Sequence, residues 1–202
     1  MTPYDPQKHH RRSIRLKGFD YTQPGAYFVT LVTWGRTCLF GEIDGETMRL
    51  NPVGAVVQQA WLRLPSFFPI HLDAYVLMPN HFHGIICMGE ASAERALPGM
   101  KNSPGRCFAP TAEGALPGMK IVPTDASPQP PKGTQPGSLG AIIQNFKSTS
   151  TRGANQINAS PGMPLWQRNY FERVIRDEAE LARIIAYIHA NPARWREDTE
   201  LL

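Results

Sequence analysis

Cysteine is scarce in this sequence. Cys38, Cys87 and Cys107 are the whole set among 202 residues, odd in number and without a CxxC spacing. Such a set argues against a disulfide framework and against a cysteine zinc site. Long hydrophobic runs are also missing: none approaches the roughly 20 residues needed to cross a bilayer. The stretch Met1 to Lys17 is polar and basic and lacks the apolar region of a secretory signal, so a reducing cytoplasm is the expected compartment. Charged residues make up only 19% of the chain against 42% hydrophobic. That balance supports a packed core and excludes a wholly disordered chain.

Acidic residues are lacking where basic ones gather. Lys8, Arg11, Arg12, Arg15 and Lys17 occur with no acid between them, and His9 and His10 lie in the same stretch. Between Lys132 and Arg176, Glu172 is the one acid against six basic residues. The net charge of +4 is therefore local. A basic arm over residues 1–20 and a basic second half suit a phosphate backbone, although a solvated tail has the same composition.

Aromatic residues nearly vanish over residues 90–137, where Phe108 stands alone among 9 of the 19 prolines. The hexapeptide Ala-Leu-Pro-Gly-Met-Lys occurs there twice, at 96–101 and 115–120. With so few large apolar groups, this segment cannot offset its ordering entropy by burial. It reads as a disordered insertion in a single domain made of residues 21–89 and 138–202.

The flanking parts are well patterned. Gly25 to Trp34 is aromatic and β-branched, hence a strand. Asn51-Pro52 is a cap followed by proline at the first helical position, and Val53, Val56, Val57, Ala60, Trp61 and Leu64 follow at helical spacing before Pro65. Two strands, Ala74 to Met78 and His81 to Cys87, flank the turn at Pro79-Asn80. Ser138 to about Thr151 reads as a helix, Tyr170 to Ile175 as a strand, and Asp177 caps a last helix that ends near Asn191-Pro192. The order β-α-β-β-α-β-α predicts an α+β fold: a ferredoxin-like, split βαβ antiparallel sheet with one extra C-terminal helix.

Two groups of residues could carry chemistry. His81 and His83 are two apart in a strand, so both imidazoles leave the same face while Phe82 leaves the other. Such a pair can share a divalent metal, or it can be two satisfied histidines on a sheet. Tyr187 lies roughly 110° from the centre of the stripe formed by Leu181, Ile184, Ile185 and Ile188. Asn191 follows one turn later on the same flank. A phenol can act as a nucleophile and an amide oxygen can bind a hard cation, yet a lone helical tyrosine is far more often an amphipathic surface residue and by itself says little.

The run Met78-Pro79-Asn80-His81-Phe82-His83-Gly84-Ile85-Ile86 resembles the HUH signature of single-tyrosine transposases. The stretch Ile143 to Ser148 and the blocks Leu-Trp-Gln-Arg-Asn-Tyr-Phe-Glu-Arg from Leu165 and Tyr-Ile-His-Ala-Asn-Pro from Tyr187 resemble the REP-associated tyrosine transposases. The similarity covers roughly residues 11–88 and 138–196. The Pro-rich segment departs from the short connection usual there.

The resemblance implies a ferredoxin-like fold whose extra helix carries a catalytic tyrosine. It implies cleavage and rejoining of single-stranded DNA with hairpin or palindromic repeats, through a 5′-phosphotyrosine. Its residue roles fall on Tyr187 as nucleophile and on His81, His83 and Asn191 as ligands of Mg²⁺ or Mn²⁺. Lys8, Arg11, Arg12, Arg15, Lys17, Lys147, Arg152, Arg168 and Arg173 would hold the DNA backbone. A nucleoid-associated protein, monomeric or homodimeric, is the expectation. A catalytically silent, domesticated repeat-DNA-binding protein would share the basic residues but not need Tyr187. A small metal-dependent hydrolase would use the histidines and leave both the tyrosine and the basic arm unexplained.

Overall fold

The computed structural model describes residues 18–89 and 134–195. The basic arm up to residue 17 and the Pro-rich segment from 90 to 133 lie outside the described residues. The elements are β1 (Gly25–Val32), β2 (Gly41–Asp44), β3 (Thr47–Leu50), α1 (Pro52–Leu62), β4 (Ile70–Leu77), β5 (His81–Met88), α2 (Leu139–Ile157), β6 (Phe171–Ile175) and α3 (Glu178–Ala190). Four strands form one sheet in the order β4-β5-β1-β6, with every neighbour antiparallel. This is the ferredoxin-like arrangement with α3 as the additional helix.

Strand alternation sorts the side chains onto two faces. Tyr27, Val29 and Leu31 of β1 and Phe82, Ile86 and Met88 of β5 join Val57, Trp61, Ile142 and Phe146 in the larger core, beneath α1 and α2. Ala26 and Phe28 of β1 and Ile85 and Cys87 of β5 join Leu181 and Ile188 in a smaller core beneath α3. His81 and His83 belong by the same alternation to the α3 face. Gly84 lies opposite them: a Cβ there would meet Trp61 Cζ2 at 2.6 Å, so the glycine admits the indole against the sheet.

Each long helix starts as its cap residue dictates. Asn51, Ser138 and Asp177 each accept a backbone N–H from three residues on, at 2.9, 3.3 and 2.7 Å. Several boundaries differ from those read in the sequence. Helix α2 runs to Ile157 because Gly153 does not end it; a Cβ there would collide with Val56, so the glycine serves the close crossing of α1 and α2. Strand β4 starts earlier, at Ile70, and is interrupted by a bulge between Leu72 and Tyr75. The β2–β3 hairpin was not anticipated, although Asp44-Gly45 is a hairpin signal and Gly45 has φ 63°.

Cys38 is free. Among the described residues no helix is long and apolar enough to cross a membrane.

Candidate active site

Thr30 of β1 lies directly opposite His83 of β5, and Val32 opposite His81. This register puts the Thr30 hydroxyl 2.8 Å from His83 Nδ1. Asn80, in the turn just before β5, places its Oδ1 2.7 Å from His81 Nδ1. Both rings are thus held through Nδ1. With the Nδ1–H donating to Asn80 Oδ1, Nε2 of His81 keeps its lone pair, and the same tautomer at His83 leaves its Nε2 an acceptor. The ring centroids are 4.7 Å apart, and both residues are buried.

Helix α3 brings the tyrosine to this pair. Leu181 and Ile188 face the sheet, and Tyr187 on the flank remains 41% exposed. Its hydroxyl lies 3.2 Å from His83 Nε2. Phe28 stacks on the His83 ring at 5.5 Å and meets the Tyr187 ring edge-on at 6.3 Å, so the phenol packs on side chains of β1 and β5. One turn beyond Tyr187, Asn191 caps the helix and is only 5% exposed. Its side-chain oxygen is buried with no hydrogen-bond partner. Four residues further, Trp195 packs on the His81 ring at 5.9 Å. The run Tyr187, Asn191, Trp195 therefore follows β5 backwards, from His83 at one end to His81 at the other.

A buried amide oxygen without a partner is unfavourable unless something occupies it. Two imidazole nitrogens and this oxygen are a donor set that fits a divalent cation with coordination positions left over for a phosphate or water. Among the described residues no group of three or more His, Cys, Asp or Glu could hold a metal ion. Burial pushes the His83 imidazolium down to about 3, with the neighbouring His81 adding to the effect. The ring is therefore neutral at ordinary pH, as a metal ligand must be. The same shift makes it a weak base for removing a phenolic proton.

The basic residues expected to hold a backbone divide into distinct situations. Arg152 and Arg168 line a groove of about 1230 Å³ along α2, with Asp20 the single acid among its described lining residues. Lys147 lines the same groove, but its ammonium donates to the carbonyls of Gln167, Arg168 and Asn169 at 2.6, 3.1 and 3.3 Å. All three donors are used in tying α2 to the segment before β6, and burial lowers the pKa to about 8. Trp166 in that segment donates to Ser150 at 2.9 Å, and Gln167 N bonds Val32 O at 2.9 Å. Arg173 pairs with Glu180 at 2.6 Å, docking α3 on β6. Lys8, Arg11, Arg12, Arg15 and Lys17 lie outside the described residues. Thr30, Asn80 and Trp195 were given no role from the sequence, although Asn80 stands immediately before His81 and Trp195 ends the family-like block that begins at Tyr187.

No protein-family model matches the chain. An uncharacterized protein of Haemophilus influenzae is 37% identical over 198 residues, covering 98% of this chain and 96% of that protein. The solved structure of a REP-associated tyrosine transposase bound to a REP hairpin aligns with a TM-score of 0.50 and 15% identity, over 90% of this chain and 74% of that one. A candidate transposase from Deinococcus radiodurans aligns with a TM-score of 0.39 and 14% identity, over 86% of this chain and 95% of that one.

Proposed function

This chain belongs to the same family as the Haemophilus influenzae protein and carries the fold of the REP-associated tyrosine transposase, and we propose that it cleaves and rejoins single-stranded DNA through Tyr187. One observation carries the proposal: the Tyr187 hydroxyl lies 3.2 Å from Nε2 of a histidine whose other nitrogen is already held. The neighbour binds a REP hairpin, so a hairpin or palindromic repeat is the first substrate to try. The groove with Arg152 and Arg168 is the surface proposed for its phosphates.

His81 and His83, through Nε2, and Asn191, through its amide oxygen, would hold Mg²⁺ or Mn²⁺, the cation taking the His83 lone pair that the Tyr187 hydroxyl meets in its absence. When bound, such an ion supplies positive charge that offsets the anionic oxygens of the scissile phosphate. The chain's own residues do the rest. Asn80 and Thr30 fix the two rings, so the ligands need no reorganisation. Phe28 holds the Tyr187 ring beside that of His83. The phenol oxygen forms a bond to phosphorus as the bond from phosphorus to the 3′ oxygen breaks. The phenolic proton passes to water and the departing 3′ oxygen takes one from water. The product is a 5′-phosphotyrosine and a free 3′-hydroxyl. The number and type of ester bonds are conserved, so the reverse step needs no nucleotide triphosphate.

The test is incubation with end-labelled hairpin DNA and Mg²⁺ or Mn²⁺, followed by denaturing electrophoresis. A labelled covalent adduct that is absent in EDTA is the expected result. Hairpin binding with no adduct under either metal would reduce the chain to a repeat-binding protein.

A further inference from the structure

Beside Tyr187 lies a cleft of about 470 Å³ with a wall that the chemistry above does not use. Phe28, Thr30 and His83 form its floor on the sheet, and Arg36 lines it together with Gln167 and Asn169. Arg36 comes from the loop Trp34-Gly35-Arg36, which follows β1. Gly35 has φ 65° and Arg36 has φ 58°. Left-handed backbone is natural for the glycine and strained for an arginine, and such strain persists only where surrounding bonds enforce it.

Those bonds are present. Arg36 N donates to Thr33 O at 3.1 Å, and the Thr33 hydroxyl donates to Thr37 O at 2.8 Å. Asn80, only 1% exposed, donates its Nδ2 to Arg36 O at 3.3 Å. The other end of the same amide meets His81 Nδ1 at 2.7 Å. One buried side chain therefore fixes both the ring of a proposed ligand and the peptide that sets Arg36 at the cleft. Trp34, two residues earlier, is 56% exposed.

We propose that the Trp34–Arg36 loop is a nucleotide clamp for the strand lying across Tyr187. Arg36 binds a backbone phosphate next to the scissile one, and Trp34 stacks on a base. The chemistry matches the residue types. A guanidinium bonds phosphate oxygens through two parallel N–H groups. An exposed indole offers a stacking face to any base, without sequence preference. A polyanion with unpaired bases meets both requirements, and a duplex, whose bases are stacked on each other, meets only the first. The clamp rests on the reading of Tyr187 as the attacking group.

The experiment uses the full chain carrying Tyr187→Phe, so that binding is measured without cleavage. A fluorescein-labelled 12-nucleotide single strand is titrated and followed by anisotropy. Arg36→Gln should weaken binding about tenfold and flatten the slope of log K against log salt by about 0.7. Arg36→Lys should restore the salt slope and only part of the affinity. A scan of neutral methylphosphonates should find one position at which Arg36→Gln has no further effect, because charge and partner are then removed together. Trp34→Ala should weaken binding likewise, and an abasic site should abolish the difference. Arg36→Gly relieves the backbone strain, so it should match Arg36→Gln in binding while keeping the melting temperature.

The proposal is overturned if Arg36→Gln and Trp34→Ala bind every oligonucleotide as the parent does, or if the parent binds none. Adduct formation by the chain with Tyr187 intact is scored separately. Its absence, with the Arg36 and Trp34 effects present, would remove the cleavage reading and with it the scissile phosphate, and leave only single-strand binding by the loop.

Discussion

Replacing Tyr187 with phenylalanine separates packing from chemistry. The substitution removes one hydroxyl and leaves the ring, which keeps its contacts with Phe28 and His83. The lost hydrogen bond is 3.2 Å long and made by a residue that is 41% exposed. An ordinary hydrogen bond contributes about 1 kcal/mol, and one shared with solvent contributes less, so the melting temperature should fall by no more than a few degrees. Strand cleavage and the labelled adduct should vanish, since no oxygen remains to attack phosphorus. Tyr170 is the informative competitor because it lines the same cleft. Tyr75 is the remote control: its hydroxyl accepts from Gln58 Nε2 at 3.1 Å in the other core. Both should still give the adduct when changed to phenylalanine. Peptide mapping of an adduct to Tyr170, or an adduct that survives in Tyr187→Phe, would refute the assignment of α3 as the catalytic helix.

Thr30→Val is nearly isosteric and removes the hydroxyl that holds His83 Nδ1; Mn²⁺ affinity by calorimetry should drop roughly 10- to 100-fold with the fold retained. Gly84→Ala forces a methyl against Trp61, and chemical denaturation should show a loss of about 1–3 kcal/mol. His83 has a folded pKa of about 3 against its ordinary 6.5, so the unfolded chain binds its proton first as pH falls. Stability held above pH 6.5 should therefore be lost between 6.5 and about 3, and His83→Gln should flatten that part of the curve of melting temperature against pH. Lys147→Met leaves three carbonyls without their donor, and protease digestion should cut the segment 165–170 faster than in the parent.

The parts of the site legible in the sequence were those set by local periodicity. Two residues per strand repeat placed His81 and His83 on one face, and 3.6 residues per helical turn placed Tyr187 and Asn191 on one flank. The parts that were not legible depend on register and on packing between distant segments. Nothing near residue 30 says that its threonine will oppose His83. Lys147 and Arg173 looked like phosphate contacts because they are basic in an acid-poor region. Yet Lys147 donates to carbonyls about twenty residues away, and Arg173, while largely exposed, pairs through Nε with Glu180 of the next helix. A positive side chain is read from sequence as a charge seeking an external anion. Its internal partners are fixed only when the sheet is assembled.

The assembly also accounts for the order of the motifs along the chain. His81 and His83 need the neighbour β1 for Thr30, and β1 in turn is closed on its other side by β6 and the segment around Trp166. Lys147 holds that segment from α2, and Gln167 and Asn169 within it form the far wall of the Tyr187 cleft. The stretch Ile143 to Ser148, the Leu-Trp-Gln block and the two histidines are therefore physically one structure, although the sequence separates them by tens of residues. Asn80 extends it to the Arg36 loop. A change in any of these supporting side chains should move the cleft wall or a ring while leaving Tyr187 itself in place. Such variants should lose rate more than they lose stability, the reverse of what a core substitution such as Gly84→Ala does.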